Sequence, residues 1–112
     1  MPGSANLAAF PKLMDIMKQH YAEGGTVAAI CAAPGVVLTL LPDLEGKKMT
    51  CYDGFEEAIT AKGAEYVKEG VVTDGNVITG RGPGWAVEFG LEILRHIKGQ
   101  EIADKVKAGL ML

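Results

Sequence analysis

Cysteine, aromatic side chains and long apolar runs are scarce in this 112-residue sequence. Two cysteines cannot build the disulfide framework of a small secreted domain, and without a CxxC pair or a Cys/His cluster we expect no zinc site. The net charge of −3 is mild, and no basic stripe is interleaved with aromatic residues. Nucleic acid is therefore not an expected partner, and an acidic chain is poorly suited to an anionic membrane surface.

A membrane segment and a leader are also missing from the printed sequence. No stretch approaches the roughly 18 consecutive apolar residues that a membrane helix requires. Residues 1–5 lack the charged region that opens a secretory signal peptide. We therefore expect a cytoplasmic protein. The length and the 48% hydrophobic share allow one modest core, so residues 1–112 are treated as one domain.

Apolar periodicity and turn residues predict helices alternating with strands, which is typical of the α/β class. The strand 26–30 is apolar on both faces, which predicts a central parallel strand with neighbours on both sides. The chain offers few strands for that, so we interpret it as an α/β domain without its first βαβ units; a small complete α/β protein is the alternative. Predicted helices are 11–23, 34–41, 56–60, 85–98 and 100–107, and predicted strands are 26–30, 48–52, 71–73 and 76–79, the last two joined by an Asp74-Gly75 hairpin turn.

Cys31 lies where a predicted strand runs into a predicted helix, in Val-Ala-Ala-Ile-Cys-Ala-Ala-Pro (27–34). Small residues on both sides suit a sharp turn, as in the serine nucleophile elbow, with alanines in place of glycines. Unpaired amides at a helix amino end favour a thiolate, and such sites lower a cysteine pKa from about 8.5 to as little as ~3.5. The alternative is an inert thiol that fills the core.

Four segments carry a resemblance to a known family: residues 28–34 (AAICAAP), 79–84 (TGRGPG), 88–91 (EFGL) and 107–112 (KAGLML). Together they resemble the ThiJ/PfpI superfamily, in the branch that contains the parkinsonism-linked protein deglycase. The resemblance implies a flavodoxin-like (Rossmann-like) three-layer sandwich, here apparently lacking its N-terminal βαβ units. It also implies a homodimer, or a partner segment that supplies the missing units.

The resemblance makes Cys31 the nucleophile of a glyoxalase- or deglycase-like enzyme that acts on methylglyoxal-type carbonyls without a cofactor. It equally allows an oxidative-stress sensor or chaperone-like protein whose thiol oxidises to sulfinic acid. Superfamily members are also named for thiazole monophosphate biosynthesis and intracellular proteolysis; the protease fits poorly, because the expected histidine neighbour is not visible. The family's partner glutamate and its Gly-Gly turn would both precede Met1, which implies a partner chain, a truncated chain or a cleaved one.

Five further residues are candidates for the surroundings of Cys31. The Arg-Gly-Pro-Gly turn either lines the cysteine pocket or is purely structural. The second cysteine is either a resolving thiol for Cys31 or a buried strand residue. The candidates are Ala32, Cys51, Arg81, Gly82 and Pro83.

Overall fold

A computed structural model describes residues 2–111, so Met1 and Leu112, the last residue of the segment 107–112 compared with the family, lie outside the described residues. Helices and strands alternate, which confirms the predicted α/β class. Two short 3-10 turns, Leu38–Leu40 and Pro83–Trp85, accompany these elements. The helices are α1 (Pro2–Ala8), α2 (Pro11–Ala22), α3 (Ala33–Val36), α4 (Glu56–Ala61), α5 (Ala86–Lys98) and α6 (Gln100–Gly109); the strands are β1 (Val27–Ile30), β2 (Lys48–Met49), β3 (Glu65–Tyr66), β4 (Val71–Asp74) and β5 (Val77–Gly80).

The main sheet has the order β1-β5-β4, so β5 is its central strand. β1 runs parallel to β5, with Val27 opposite Val77 and Ile30 opposite Gly80. β4 runs antiparallel to β5, with Asp74 opposite Val77. All four β5 residues are buried, as expected for a strand covered on both faces.

β1 was predicted to be a central strand of a domain without its first βαβ units, and among residues 2–111 it pairs with β5 alone. The apolar residues of β1 indicate what its two faces contact, but they do not indicate which strands lie beside it. The strand order depends on the pairing of β1 with β5, which is about fifty residues further along the chain.

A second, two-stranded parallel sheet joins β2 to β3, with Met49 opposite Tyr66. β3 was not predicted from the sequence, and β2 is shorter than the predicted strand 48–52. Beyond β2 the chain is tied to the main sheet by side chains instead: the Thr50 N–H donates to Thr79 Oγ1 at 2.9 Å. The Thr50 hydroxyl in turn donates to the Glu69 carbonyl at 3.0 Å.

The predicted helix 34–41 is only one turn of α-helix followed by a 3-10 turn. Adjacent β-branched valines at 36 and 37 have low helix propensity, and the chain is extended at Leu41, where φ is −73° and ψ is 147°. Gly35 is closely packed, since a Cβ there would lie 2.9 Å from Phe55.

The predicted hairpin forms, but its turn is shifted by one residue. Asp74 is the last paired residue of β4, so the two turn residues are Gly75 and Asn76. Gly75 has a φ of +59°, which a glycine adopts at no steric cost. The Asp74 carboxylate instead accepts the Lys48 N–H at 2.8 Å, and this bond joins the hairpin to β2.

The core lies between the sheets and helices α2 to α4. In contrast, no residue of α5 is fully buried, although the helix is amphipathic. Within residues 2–111, no helix has the length and apolar content needed to cross a bilayer. The buried core cluster consists of Tyr21, Val27, Leu38, Leu41, Leu44, Met49, Cys51, Ile59, Ala64 and Val77.

Candidate active site

Cys31 occupies a left-handed backbone conformation directly after β1, with a φ of +68°. This region costs a non-glycine residue about 1–2 kcal/mol, so the surrounding structure must impose it. Two hydrogen bonds do so, one from β5 and one from the loop after β2. The Cys31 N–H donates to the Gly80 carbonyl at 3.0 Å, and the Cys31 carbonyl accepts the Tyr52 N–H at 2.7 Å. The cysteine side chain is left half-buried.

Small residues make this turn possible, as the sequence predicted. Ala32 has no exposed surface, and Pro34 occupies the first turn of α3, where its missing N–H has no intrahelical acceptor to lose. Because α3 is only four residues long, it directs a single turn of backbone amides toward the residue before it. The structure therefore has the strand, sharp turn and helix of a nucleophile elbow, with a shorter helix than predicted.

Gly80 is the close-packed neighbour of this turn. A Cβ at Gly80 would lie 2.9 Å from both the Ile30 and Phe89 side chains. Only a glycine therefore lets β1, β5 and α5 approach at the point where the Cys31 N–H is bound. The sequence analysis did not assign a role to this glycine; the contact that requires it joins residues far apart in sequence.

An ion pair joins the residue after β5 to the loop after β2. Arg81 Nη2 lies 2.8 Å and Arg81 Nε 3.3 Å from Asp53 Oδ1. The hydrogen bond and charge of Arg81 hold the pKa of Asp53 below its ordinary value, and the carboxylate raises the pKa of Arg81. Arg81 follows Gly80 and Asp53 follows Tyr52, the two residues that hold the Cys31 backbone. Sequence reasoning missed Asp53, whose only signal was its place after a strand, where α/β ligand sites gather.

The Arg-Gly-Pro turn lies at the same end of the sheet. Arg81 donates its N–H to the Gly70 carbonyl at 2.9 Å. Gly82 is buried, and a Cβ there would lie 3.5 Å from the Tyr52 ring. Pro83 is exposed and begins a 3-10 turn. Of the candidates, Ala32, Arg81 and Gly82 therefore lie next to the residues that hold Cys31, whereas Pro83 lies on the outer side.

Cys51 lies in the apolar core with no exposed surface. Burial first, and then the negative charges of Glu56 and Asp53, raise the pKa of its thiol to about 11. Burial, followed by the charge of Cys51, also raises the pKa of Tyr66. Cys51 is therefore buried, as one of the two sequence interpretations expected, but it lies two residues beyond β2 and not in the strand. A resolving role for Cys51 stays a prediction.

Other polar groups lie away from this end of the sheet. His20 Nε2 lies 3.1 Å from the Thr26 carbonyl, at the opposite end of β1 from Cys31. Among residues 2–111, no three His, Cys, Asp or Glu side chains gather closely enough to hold a metal ion. A groove of about 220 Å³ between α5 and α6 is lined by residues of those two helices and by none of the residues around Cys31.

A half-buried cysteine in a left-handed turn, between the central sheet and a helix, defines an α/β domain with a cysteine elbow. The DJ-1/PfpI family model matches residues 1–96, and the chain belongs to the DJ-1/PfpI family. The resemblance read from the four sequence segments is thereby confirmed.

Relatives in this family match almost the whole chain. A *Caenorhabditis elegans* protein named glutathione-independent glyoxalase DJR-1.2 is 33% identical over 99% of this chain and 59% of its own length. The crystal structure of *Drosophila melanogaster* DJ-1beta matches with a TM-score of 0.89 and 35% identity, over 100% of this chain and 60% of the other. An oxidised *Toxoplasma gondii* DJ-1 structure matches with a TM-score of 0.90 and 32% identity, over 99% and 59%. The chain thus spans about three fifths of these relatives.

Proposed function

We propose that this chain carries the nucleophile of a cysteine-dependent enzyme that acts on reactive carbonyl compounds of the methylglyoxal type. The observation that carries the proposal is the left-handed backbone of Cys31, with a φ of +68°. Strained non-glycine residues persist where the surrounding structure over-determines them, and they cluster at active sites. A glyoxalase-named relative at 33% identity supports the choice of substrate class.

The reaction would begin with addition of the Cys31 thiolate to the aldehyde carbon of methylglyoxal. The new C–S bond gives a hemithioacetal, whose oxygen takes up a proton. Transfer of a proton from the former aldehyde carbon to the neighbouring carbonyl carbon, through an enediol, gives a thioester. Water then cleaves the C–S bond, releasing lactate and restoring the thiol. The sum is methylglyoxal plus water to lactic acid, with no external oxidant or reductant.

Two groups beside Cys31 suit the charge that this reaction develops. In an elbow, the N–H of the residue after the nucleophile stabilises the oxyanion, which here is the N–H of Ala32. The Arg81 guanidinium, held by Asp53 at 2.8 Å, supplies positive charge at the same strand ends. We propose that Arg81 binds the carboxylate of the hydroxy-acid product.

The proton transfers require an acid–base group, and such groups typically contribute 10²–10⁴ in rate. The resemblance implies a glutamate from a segment that precedes Met1 in the family pattern. Since the chain spans about three fifths of the matched Caenorhabditis elegans and Drosophila melanogaster chains, we propose that full activity requires the remaining part of the family fold. The addition of methylglyoxal to Cys31 and the complete catalytic cycle are therefore measured separately.

The proposal is tested by following methylglyoxal loss and lactate formation with this chain and with Cys31→Ser. We expect the variant to lose roughly 100-fold or more of the rate that exceeds buffer. Cys51→Ala is the matched control, because it removes the other thiol from the core and leaves the elbow intact. Equal rates above buffer for the parent chain and Cys31→Ser, or equal background rates with no adduct trapped on Cys31, would contradict the proposal. Borohydride trapping of a methylglyoxal adduct on Cys31, read by peptide mass, tests the first step alone.

A second candidate function is a redox-sensitive thiol at the same residue. The half-buried side chain of Cys31 is open to a small oxidant, whereas Cys51 is fully buried. A matched Toxoplasma gondii structure is of an oxidised protein. Mild peroxide should add the mass of two oxygen atoms to the parent chain and to Cys51→Ala, but not to Cys31→Ala. If peroxide leaves the mass of the parent chain unchanged while methylglyoxal is still turned over, the redox function is contradicted and only the enzymatic proposal stands.

A further inference from the structure

We infer that Tyr52 and Trp85 determine substrate specificity, by forming an aromatic subsite that binds a planar aryl group on the carbonyl substrate and on its hydroxy-acid product. The inference rests on the proposed function for the reacting end of the substrate, and it adds the kind of substituent that the site selects. The preferred substrate class is then the aryl 2-oxoaldehydes, and the product class is the aryl 2-hydroxy acids.

Tyr52 lies directly beside the Cys31 turn. Its N–H donates to the Cys31 carbonyl at 2.7 Å, so its ring leaves the backbone next to the residue that carries the nucleophile. One edge of the ring packs on the turn after β5, because a Cβ at Gly82 would lie 3.5 Å from Tyr52 Cδ2. The residue nevertheless remains 42% exposed, so most of the ring is not used by the fold.

Trp85 occupies the other side of the same turn. Its N–H donates to the Gly82 carbonyl at 2.9 Å, and its indole ring lies over Gly70, where an added Cβ would collide with the ring. The Gly70 carbonyl accepts the Arg81 N–H at 2.9 Å. The indole therefore lies beside the Arg81 backbone on the side of β4, and Trp85 is 43% exposed.

The glycines under these rings are explained by the rings and not by the backbone. Neither Gly70 nor Gly82 has a positive φ, so backbone strain does not require glycine at either position. The indole ring excludes any side chain at Gly70. At Gly82 a larger side chain would occupy the space of the Tyr52 ring. The sequence thus keeps two positions bare, and a partly exposed ring lies on each.

The exposure of the two rings is typical of a binding surface. Neither ring belongs to the buried core cluster of residues 2–111, although tyrosine and tryptophan usually bury much of their area. Ligand sites combine aromatic walls with a few placed polar groups. At this end of the sheet the polar groups are the Cys31 thiol and the Arg81 guanidinium.

The position of Arg81 between the rings selects the substituent. A single carbon joins the carboxylate of an aryl 2-hydroxy acid to its ring. With the carboxylate at Arg81, the aryl ring therefore lies within reach of the side chains on either side of that residue. A methyl group in the same place is too small to contact both rings. Stacked or edge-to-face aromatic contacts each contribute roughly two- to tenfold in affinity.

The first test uses Trp85 as its own reporter, because it is the single tryptophan of the sequence. This chain is titrated with mandelate, the product expected from phenylglyoxal, and separately with lactate, and the tryptophan emission is followed. We expect mandelate to change the emission and to bind at least about tenfold more tightly than lactate. Equilibrium dialysis repeats both titrations and serves the variants that lack the tryptophan.

Matched variants show whether the rings carry this preference. Tyr52→Ala and Trp85→Ala should each lower the ratio of mandelate to lactate affinity at least about threefold. Tyr52→Phe and Trp85→Phe retain an aromatic ring and should restore most of that ratio. Ile97→Ala is the control, because Ile97 is a large exposed residue about 18 Å further along α5. Circular dichroism checks that every variant remains folded.

Turnover supplies an independent readout of the same preference. Phenylglyoxal plus water gives mandelic acid by the steps proposed for methylglyoxal, with a proton moved from the aldehyde carbon to the ketone carbon. The ratio of the two kcat/KM values should fall at least about threefold in Tyr52→Ala and in Trp85→Ala. Mandelate formation is measured, since phenylglyoxal also reacts with arginine side chains, and Cys31→Ser gives the background.

Four results would overturn the inference. They are absence of mandelate binding, equal affinities for mandelate and lactate, an unchanged affinity ratio in both alanine variants, and an equal loss in Ile97→Ala. The two proposals also fail separately. Methylglyoxal turnover without a preference for mandelate contradicts the subsite alone. A mandelate preference that depends on both rings, in a chain without turnover, contradicts the proposed function and leaves a binding site for aryl hydroxy acids.

Discussion

Replacing Cys31 with glycine and, separately, with alanine tests whether the elbow stores backbone strain. At φ +68° an L-residue has its Cβ too close to the following carbonyl oxygen, which costs about 1–2 kcal/mol; glycine does not incur this cost. Alanine retains it while removing the thiol. Comparing the two variants therefore isolates the backbone from the side-chain chemistry.

The expected magnitude follows from two opposing effects. Glycine is normally less stable than alanine by roughly 0.5–1 kcal/mol, because it loses more chain entropy on folding. Relief of the left-handed conformation contributes about 1–2 kcal/mol in the other direction. Cys31→Gly should thus be more stable than Cys31→Ala by about 0.5–1 kcal/mol, or by a few degrees in melting temperature.

Urea unfolding followed by circular dichroism measures this difference. Ala29→Gly is the matched control, because residue 29 lies in β1, two residues before Cys31, and has no left-handed backbone. There glycine should lower stability by roughly 0.5–1 kcal/mol. If Cys31→Gly proves less stable than Cys31→Ala by the same margin as the control, then the turn is unstrained and the main support for a functional Cys31 is lost.

Three further predictions concern the residues that hold the site. Thr79→Val removes the buried hydroxyl that accepts the Thr50 N–H and should cost about 1–3 kcal/mol in urea unfolding; an unchanged midpoint would mean that another acceptor takes over. Gly80→Ala forces a Cβ against Phe89, which should cost about 1–3 kcal/mol and change the alkylation rate of Cys31; equal rates would show that the turn tolerates the shift. Since folding raises the pKa of Cys51 to about 11 from an ordinary value of 9.0, the folded state favours the neutral thiol. The contribution of the Cys51 thiol to stability is fully present below pH 9. As the pH rises toward 11 this contribution is lost, and the free energy of unfolding falls by roughly 2 kcal/mol. The free energy of unfolding should fall more steeply across this pH range for the parent chain than for Cys51→Ala. Parallel curves for the two proteins would contradict this prediction.

Local patterns in the sequence predicted the elements that depend on local signals. The small residues around Cys31 located the strand-to-helix turn, and Asp-Gly between apolar runs located the hairpin to within one residue. Both features arise from backbone preferences of neighbouring residues. The helical stripe through Phe89 likewise predicted α5 almost to its observed ends.

Features that depend on distant pairing were not predicted. β3 pairs through only two residues, which is too few to show a period of two. The central place of β5 and the edge position of β1 follow from a register between Val27 and Val77. Asp53 became part of the site only because Arg81 lies opposite it in space, and no local pattern marks such a pair.

The strand order of the main sheet has a consequence for how the protein is made. Since the Cys31 turn is fixed by a bond to Gly80, the turn cannot be completed until about fifty further residues have left the ribosome. Synthesis adds about 5–20 residues per second, so the nascent chain carries this cysteine in an unstructured state for several seconds. The order in which the chain emerges therefore decides when this thiol takes up its place in the turn: after Gly80 has been made, and not while β1 and α3 are being synthesised.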